Sequence, residues 1–360
     1  MNMFKEKLVL TFYAQTPVHM GSGTSVSYVD NPIQREKHTD YPILAGSGIK
    51  GVIRDLAERI WNDKNKVNVI FGPEDGAEEF ASCISFTDAK ILLYPVRSVR
   101  GVFAYITCPY VLRRFKNELS SLEMDSLPEI SELDSKKDDN KIFVCRDSEL
   151  KIDNNKVALE EFVFDVDNSK NIDELANILS KFLPDEIKKE DFFKKHFAIV
   201  SDNVFRDFTK YAIEIRTRIR IEQSTGTVAQ GALFSIELVP SESVFYAFLF
   251  ITNPRFGIDE KIYRQLEELK SKGKSWESVL GEVKEAGELN EKDKDERIKK
   301  AYEGGYFSSD EIKNELEKLL KDNNIIQLGG DETLGMGIMK VKCLDKDEGS
   351  QTQNQQGVRS

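Results

Sequence analysis

Long hydrophobic runs are missing from this chain. No apolar stretch approaches the roughly 18 residues that cross a bilayer, so a transmembrane helix is not expected. Met1 to Lys7 carries charge but no apolar core with a small-residue cleavage site, and a secretory signal is not expected either. Cysteine is scarce. Cys83, Cys108, Cys145 and Cys343 are far apart and form no C-x-x-C pair, which argues against a zinc site or disulfide framework and for reduced, structural thiols in the cytoplasm. Histidine is scarcer still, with His19, His38 and His196. The G-x-x-x-x-G-K-[ST] spacing of a P-loop is absent, so nucleotide hydrolysis has no support. At 360 residues the chain is nevertheless long enough to bury a substantial core.

Positive charge is also in deficit, with a net of −11, yet its distribution matters more than its sum. Residues 1–117 hold 15 Lys+Arg against 12 Asp+Glu, whereas residues 118–195 hold 12 against 21. The acidity therefore sits in the middle, around the polar stretch Leu133 to Asn140, which reads as a solvated insertion or loop. Basic clusters lie elsewhere: Arg97 with Arg100, Arg113 with Arg114, and Arg216, Arg218 and Arg220.

Leu8 to Tyr13 alternates among β-formers and predicts an opening strand. A loop follows, from Pro17 through Gly21-Ser22-Gly23 to about Ala45, and its length favours a functional role. Ile49, Val52, Ile53, Leu56 and Ile60 then recur at helical spacing, with Ser47 placed as N-cap. Cys83 to Tyr94 and Val102 to Thr107 predict two strands, and Pro109 opens a helix to about Leu119. Ile213 to Gln223 alternates, meets Ser224-Thr225-Gly226 and returns over Ala232 to Val239, which predicts a long hairpin. Phe245 to Ile251 is nearly all apolar and predicts a central buried strand. Residues 259–321 are charged and helical, and a strand to about Cys343 closes the chain. The β-α-β-β-α-β order of the first half, closed by a late strand, predicts an α+β, ferredoxin-like sheet.

Four places bear chemistry. Asp30 stands on a glycine-bounded loop, where one carboxylate can hold a divalent ion or orient an RNA 2′-hydroxyl. Its place before Asn31-Pro32 makes a plain turn the simpler reading from the residues alone. His19 and His38 flank the same loop, where a histidine can serve as an acid or base near neutral pH. His38 and His196 read as structural, while His19 stays open between acid–base work and a structural bond. Gly46-Ser47-Gly48-Ile49-Lys50-Gly51 places small residues and a lysine at a helix start, with Arg54 one turn on. Phosphate binding and ordinary capping explain it equally well. Gly329-Gly330-Asp331-Glu332 resembles the G-G-D-[DE] turn of nucleotide cyclases, but no second acidic strand completes a two-metal clamp. A glycine-rich loop or plain turn is the simpler reading.

Taken together, several segments resemble one family. They are Pro17-Val18-His19-Met20-Gly21-Ser22-Gly23, Asp30-Asn31-Pro32-Ile33-Gln34-Arg35-Glu36, Gly46-Ser47-Gly48-Ile49-Lys50-Gly51 and Pro95-Val96-Arg97-Ser98. Ser85-Phe86-Thr87-Asp88-Ala89, Gly101-Val102-Phe103-Ala104 and Gly329 to Gly335 extend the likeness across most of the chain. The family is the Cmr-type backbone subunit, the fourth Cmr protein of the RAMP superfamily, from type III-B CRISPR effectors.

The resemblance implies a ferredoxin-like palm with a hairpin thumb, stacked head to tail along CRISPR RNA with other Cmr subunits. It implies cleavage of target RNA at regular intervals, with Asp30 as the key carboxylate and a divalent metal, Mg2+, as cofactor. RNA contacts are expected from His19, Ser22, Ser47, Lys50, Arg54, Arg97, Gly330 and Gly335, and thumb contacts from Arg216, Arg218, Thr225 and Gly226. Relatives carry an acid and a tyrosine where this chain has Ile236 and Leu238, and Glu237 is the acid nearby.

The expected organisation is palm over 1–117 with loop 17–46, acidic insertion 118–212, thumb 213–239 and palm strand 240–258. A helical region 259–321, a glycine-rich loop with closing strand 322–344 and a disordered tail 345–360 complete it. A non-catalytic RNA-binding scaffold of the same complex is the alternative. A standalone RNA-processing enzyme of the superfamily would not need the long hairpin.

Overall fold

A computed structural model describes residues 4–24, 29–74, 80–124, 127, 128, 130, 138–153, 155–168, 172–222, 224, 227–255, 260–276, 278, 279, 298, 299, 301–303 and 308–344. Strand β1 (Glu6–Ala14) and the short β2 (Ile43–Leu44) precede helices α1 (Gly46–Trp61) and α2 (Lys64–Phe71). Strands β3 (Ile84–Phe86), β4 (Ala89–Arg97) and β5 (Phe103–Thr107) lead to α3 (Pro109–Ser121). Then come β6 (Lys141–Val144), β7 (Lys151–Asp153), β8 (Lys156–Leu159), β9 (Phe162–Val166), α4 (Asp173–Ser180), α5 (Phe192–His196), β10 (Phe197–Ile199) and α6 (Asp202–Tyr211). Strands β11 (Glu214–Ile221), β12 (Val228–Leu238) and β13 (Val244–Ile251), helices α7 (Glu260–Ser271) and α8 (Ser309–Asp322), and strands β14 (Ile325–Gln327) and β15 (Ile338–Leu344) complete the order. No described helix is long and apolar enough to cross a membrane.

The chain divides into two units: Met1–Leu8, Lys50–Phe86 and Leu249–Asp322 form one, and Val9–Ile49, Thr87–Phe248 and Asn323–Ser360 the other. In the first, Asp63 caps α2 by accepting from the Lys66 N–H, and Val69 joins Ile262, Leu266, Leu269, Val279, Ile298 and Ala301 in a buried cluster. Lys66 and Glu315 form an ion pair at 2.8 Å, and β3 pairs antiparallel with Leu249–Ile251.

The second unit is built on a mixed sheet in the order β14-β15-β1-β13-β4-β5-β10-β6-β9-β8-β7, with β2 beside β4. The apolar run of β13 predicted a central strand, and it lies between β1 and β4 with Val244, Phe245, Tyr246, Ala247 and Phe248 buried. A strand covered on both faces cannot alternate, which is why it reads as a run. Each fully buried side chain of this size contributes about 1.5–3 kcal/mol.

One expectation is corrected. The predicted strand over Cys83 to Tyr94 is two strands, β3 and β4, broken at Thr87-Asp88, where Thr87 instead bonds Phe248 through backbone and side chain. The late closing strand forms as expected, with β15 beside β1, and β13 lies between β1 and β4. Of the polar stretch Leu133 to Asn140, residues 133–137 lie outside the described residues. Beyond it, β6–β9 extend the sheet and bury Ile142, Val157, Leu159 and Phe164, while Asp153 and Asp165 on these strands are exposed.

All four cysteines are buried thiols outside any disulfide. Burial pushes the Cys83 and Cys145 thiols up to about 12, so they are inert at neutral pH, as a structural role requires. His196 is a packing residue too. It donates from Nδ1 to the Phe192 carbonyl at 2.8 Å and stacks on the Phe192 ring.

Candidate functional site

The site gathers where the long loop meets β12, within the second unit. One limb of the loop, residues 18–22, pairs with the other around Ile33: Ser22 N–H donates to the Pro32 carbonyl and Gln34 N–H to the Met20 carbonyl. Both limbs also pair with β12. Val18 exchanges two backbone bonds with Val239, and Asn31 bridges Ile236 through the Ser235 carbonyl and the Glu237 N–H. A loop tied this way keeps its backbone polar groups satisfied and holds a fixed shape.

Asp30 is exposed at the tip of this clamp. Its Oδ2 accepts the Ser235 N–H at 2.7 Å and the Ser235 hydroxyl at 2.9 Å, while its own N–H donates to Ser235 Oγ at 3.1 Å. The Ser235 backbone bond, then its hydroxyl, hold the Asp30 carboxyl below the usual carboxylate range. Both Ser235 bonds fall on Oδ2. A bend at residues 29 and 30 carries the acid.

His19 is anchored two residues further along the same strand. Its Nδ1 lies 2.7 Å from the Glu237 carbonyl, which can only accept, so Nδ1 carries the proton and Nε2 is the basic nitrogen. A Cβ at Gly21 would stand 2.8 Å from that Nε2, so the ring fills the space a side chain there would need. The closing loop seats on the same residue, with Gly330 N–H donating to the His19 carbonyl at 2.8 Å. His38 lies exposed in the turn at 37–39.

Glu237 was the residue least appreciated from the sequence. It is buried, accepts the Ile33 N–H at 3.0 Å through Oε2 and has Oε1 3.8 Å from Arg35 Nη2. It is out of phase with the apolar face of β12, in register opposite Ile215, and the loop folded over it is what buries it. The strand pattern alone therefore carried no signal for it. Arg35 also donates to the Asp40 and Thr209 carbonyls, and Arg114 donates from Nη1 to both oxygens of Glu36 at 2.7 and 2.8 Å.

The remaining candidates divide. Ser22 sits in the loop, with its hydroxyl donating to Pro32 O at 3.2 Å. Arg218 pairs with Asp331 at 2.6 Å and Arg216 with Glu214 at 2.5 Å, so the G-G-D-E segment is a docking turn for the hairpin. Gly335 closes that turn in the left-handed region at φ 73°. Arg97 pairs with Glu160 at 2.9 Å on the surface. Thr225 and Gly226 lie outside the described residues.

Ser47 is not the N-cap. The helix begins at Gly46, whose N–H donates to Asp88 Oδ1 at 2.8 Å, and Ser47 is exposed in the first turn. An acid from the break between β3 and β4 caps the helix, which local sequence cannot reveal. Lys50 and Arg54 belong to the other unit. Burial, then the nearby Arg54, lower the Lys50 ammonium. Arg54 donates to Glu58, the Gly72 carbonyl and Asn68, which ties α1 to α2.

The hairpin itself forms as expected, as a two-stranded ribbon pairing Arg216 with Ile236, Arg218 with Phe234 and Ile219 with Leu233. One face packs Phe234, Ile236 and Leu238 against Met336. The opposite face carries Ile215, Ile219, Ile221 and Leu233, all more than half exposed.

The RAMP superfamily model matches residues 11–340. CRISPR system Cmr endoribonuclease Cmr4 of Pyrococcus furiosus is 40% identical over 247 residues, which cover 67% of this chain and 80% of that protein. Within the superfamily, the chain belongs to the Cmr4 family. The crystal structure of oligomeric Cmr4 from Pyrococcus furiosus superposes with a TM-score of 0.56 at 25% identity, covering 94% of this chain and 98% of that one. A subunit of the type III-B Cmr-beta complex bound to cognate target RNA superposes with a TM-score of 0.62 at 20% identity, over 95% and 98% of the two chains, and shows the fold alone.

Proposed function

We propose that this chain is a guide-coating backbone subunit of a type III-B effector and cuts the target RNA paired to the guide, with Asp30 as the key residue. The observation that carries the reading is the Asp30 carboxylate, exposed, ionised and fixed on Ser235 at the foot of the hairpin. The 40% identity to an endoribonuclease supports it. The sheet order β15-β1-β13-β4, reached by the path β1-α1-β4-β13-α8-β15, supports a ferredoxin-like palm, and β11–β12 is its thumb. The exposed apolar face of that thumb and the oligomeric relative support stacking of copies along the guide.

The chemistry suited to a single carboxylate is attack by the RNA's own 2′-hydroxyl. The O2′–P bond forms, the P–O5′ bond breaks, and the products are a cyclic phosphate and a 5′-hydroxyl. A stacked A-form strand holds the hydroxyl out of line, and a displaced nucleotide brings it into line. Asp30, with its lowered pKa, is a weak base. Its contribution is to accept and orient the hydroxyl, while the His19 ring, held through Nδ1 on the Glu237 carbonyl, lies beside the loop.

Magnesium fits this site only as a shared ion. Among the described residues no group of three or more His, Cys, Asp or Glu could hold a metal, so Asp30 would supply one oxygen and RNA phosphates and water the rest. When bound, the ion neutralises charge on the phosphate.

Guide binding is expected to weaken with salt as phosphate contacts are screened. The test is cleavage by a reconstituted complex carrying Asp30→Ala, with and without magnesium, while guide and target binding are followed in parallel. Loss of regularly spaced products with binding intact supports the reading. Unchanged cleavage leaves the chain a non-catalytic scaffold.

A further inference from the structure

Away from the loop, strand β9 and helix α6 enclose a groove of about 840 Å3. Its floor is aromatic, with Phe162 and Phe164 about 6 Å from Phe208, at 6.0 and 6.2 Å between ring centroids. Its apolar wall is open to solvent: Phe162 is 54% exposed, Val163 56% and Tyr211 70%. Its rim is acidic, with Asp139, Glu160, Glu161 and Asp207 lining it and no lysine or arginine among the lining residues.

We propose that this groove docks a basic segment of a partner protein, anchored by an aromatic or aliphatic side chain. The charge pattern selects the occupant. Phosphate is repelled by four carboxylates, so RNA is disfavoured here even though aromatic rings can stack bases. An uncharged apolar segment would cover the Asp and Glu side chains without pairing them, which is costly. A second copy's hairpin presents apolar Ile215, Ile219, Ile221 and Leu233, but its Arg216 and Arg218 already pair with Glu214 and Asp331. The segment that fits must bring its own cations.

Two of the rim acids keep partial partners, Arg97 at Glu160 and Arg206 at Asp207. Asp139 accepts from Ser201 and Asn203, which bring hydrogen bonds but no positive charge. Incoming cations therefore add to the field at Asp139 and Glu161 and share it at the other two. The exposed rings supply the apolar anchor point that concentrates affinity in interfaces of this kind.

The experiment pans a random 12-residue phage-displayed library on the full chain. Retention of the enriched clones is then compared on Glu161→Lys and Val163→Ser, two exposed positions whose circular dichroism and melting should match the parent. The expected result is enrichment of net-positive peptides carrying an aromatic or aliphatic residue. Their retention should fall at least tenfold on Glu161→Lys, fall with added salt and resist competition by oligouridine. The proposal is overturned by an absence of enrichment, by neutral or acidic clones, or by retention on both variants equal to that on the parent chain. Displacement by oligouridine would assign the groove to RNA. Self-association of the chain that Val163→Ser abolishes would assign it to a second copy. Cleavage is not read in this experiment, so its failure leaves the role of Asp30 untouched.

Discussion

Asp30 and Ser235 hold each other reciprocally: the aspartate Oδ2 accepts both the N–H and the hydroxyl of Ser235, and Ser235 Oγ accepts the Asp30 N–H. The strand bearing Ser235 also carries the carbonyl that holds His19, so one rigid edge sets the positions of both groups. Ser235→Ala removes the hydroxyl's two bonds and keeps the backbone one. Each such bond contributes about 0.5–1.5 kcal/mol, so losing both shifts an equilibrium by on the order of ten- to a hundredfold. Target cleavage should therefore fall by roughly that factor, less than for Asp30→Ala, with guide affinity unchanged in a filter-binding assay. A loss as complete as that of Asp30→Ala would mean that Ser235 does more than hold the acid.

The same bonds set a pH dependence. They lower the Asp30 pKa, so the ionised form persists below the ordinary carboxylate value of about 3.9. Cleavage that needs the anion should be flat from neutral pH downward and lost only as pH falls through this lowered value. In Ser235→Ala the loss should begin at higher pH. A pH–rate profile of single-turnover cleavage on both proteins checks the direction. An acidic limb that does not move would detach Ser235 from the ionisation of Asp30.

Much of this site was legible because its signals are local. Gly21 and Asp30 before Asn31-Pro32 mark a turn that presents an acid, and alternation alone located β11 and β12. What escaped depended on distant partners. Asp88 took the cap expected of Ser47, and Arg54 was drawn into α2 rather than left for phosphate. Glu237 acquired its meaning only when Ile33 and Arg35, some two hundred residues earlier, folded onto it. The central place of β13 was legible from its apolar run, whereas the added strands β6–β9 at the sheet's far side were not.

The far side of the loop depends on Arg114 and Glu36, whose side chains are about a tenth exposed, at 11% and 10%. Burial alone would raise the Glu36 carboxyl, but hydrogen bonds from Arg114 and Thr39 outweigh it and hold the group low. Removing one member of such a pair leaves a buried charge, at a cost of about 3–5 kcal/mol. Arg114→Met should lower the melting temperature accordingly and open the 29–45 loop to limited proteolysis. The sign with pH follows from the lowered pKa. The pair's contribution is fully present above the unfolded carboxylate value of about 4.3 and is lost as pH falls through the folded value. Arg114→Met should thus cost less near pH 3 than at pH 7.

Gly329 and Gly330 should answer differently to the same change. Gly329 has φ 89°, and a Cβ there would lie 2.4 Å from the His19 carbonyl oxygen. Gly330 has no such backbone, and its Cβ would meet His19 Cδ2 at an ordinary 3.5 Å. Gly329→Ala should cost more than the roughly 1–3 kcal/mol of backbone strain alone, because the neighbour is itself backbone. Gly330→Ala should change stability by less than about 0.5 kcal/mol. Urea unfolding of both variants makes the comparison, and equal midpoints would mean that the closing turn does not bear on His19 as described.

The exposed face of the hairpin separates stability from assembly. Ile219 and Leu233 face each other across β11 and β12, at 52% and 65% exposure. Neither supports the core of the free chain, so the double substitution Ile219→Ser with Leu233→Ser should change stability by about 0.5 kcal/mol or less. If this face is covered when copies stack on RNA, the same change removes apolar area from that contact, at roughly 25 cal/mol per Å2 lost. Sedimentation with guide RNA should then show fewer copies per guide, while the melting temperature of the free chain stays put. A variant that melts early would place the face inside the fold. One that assembles normally would leave the apolar ribbon without a role in stacking.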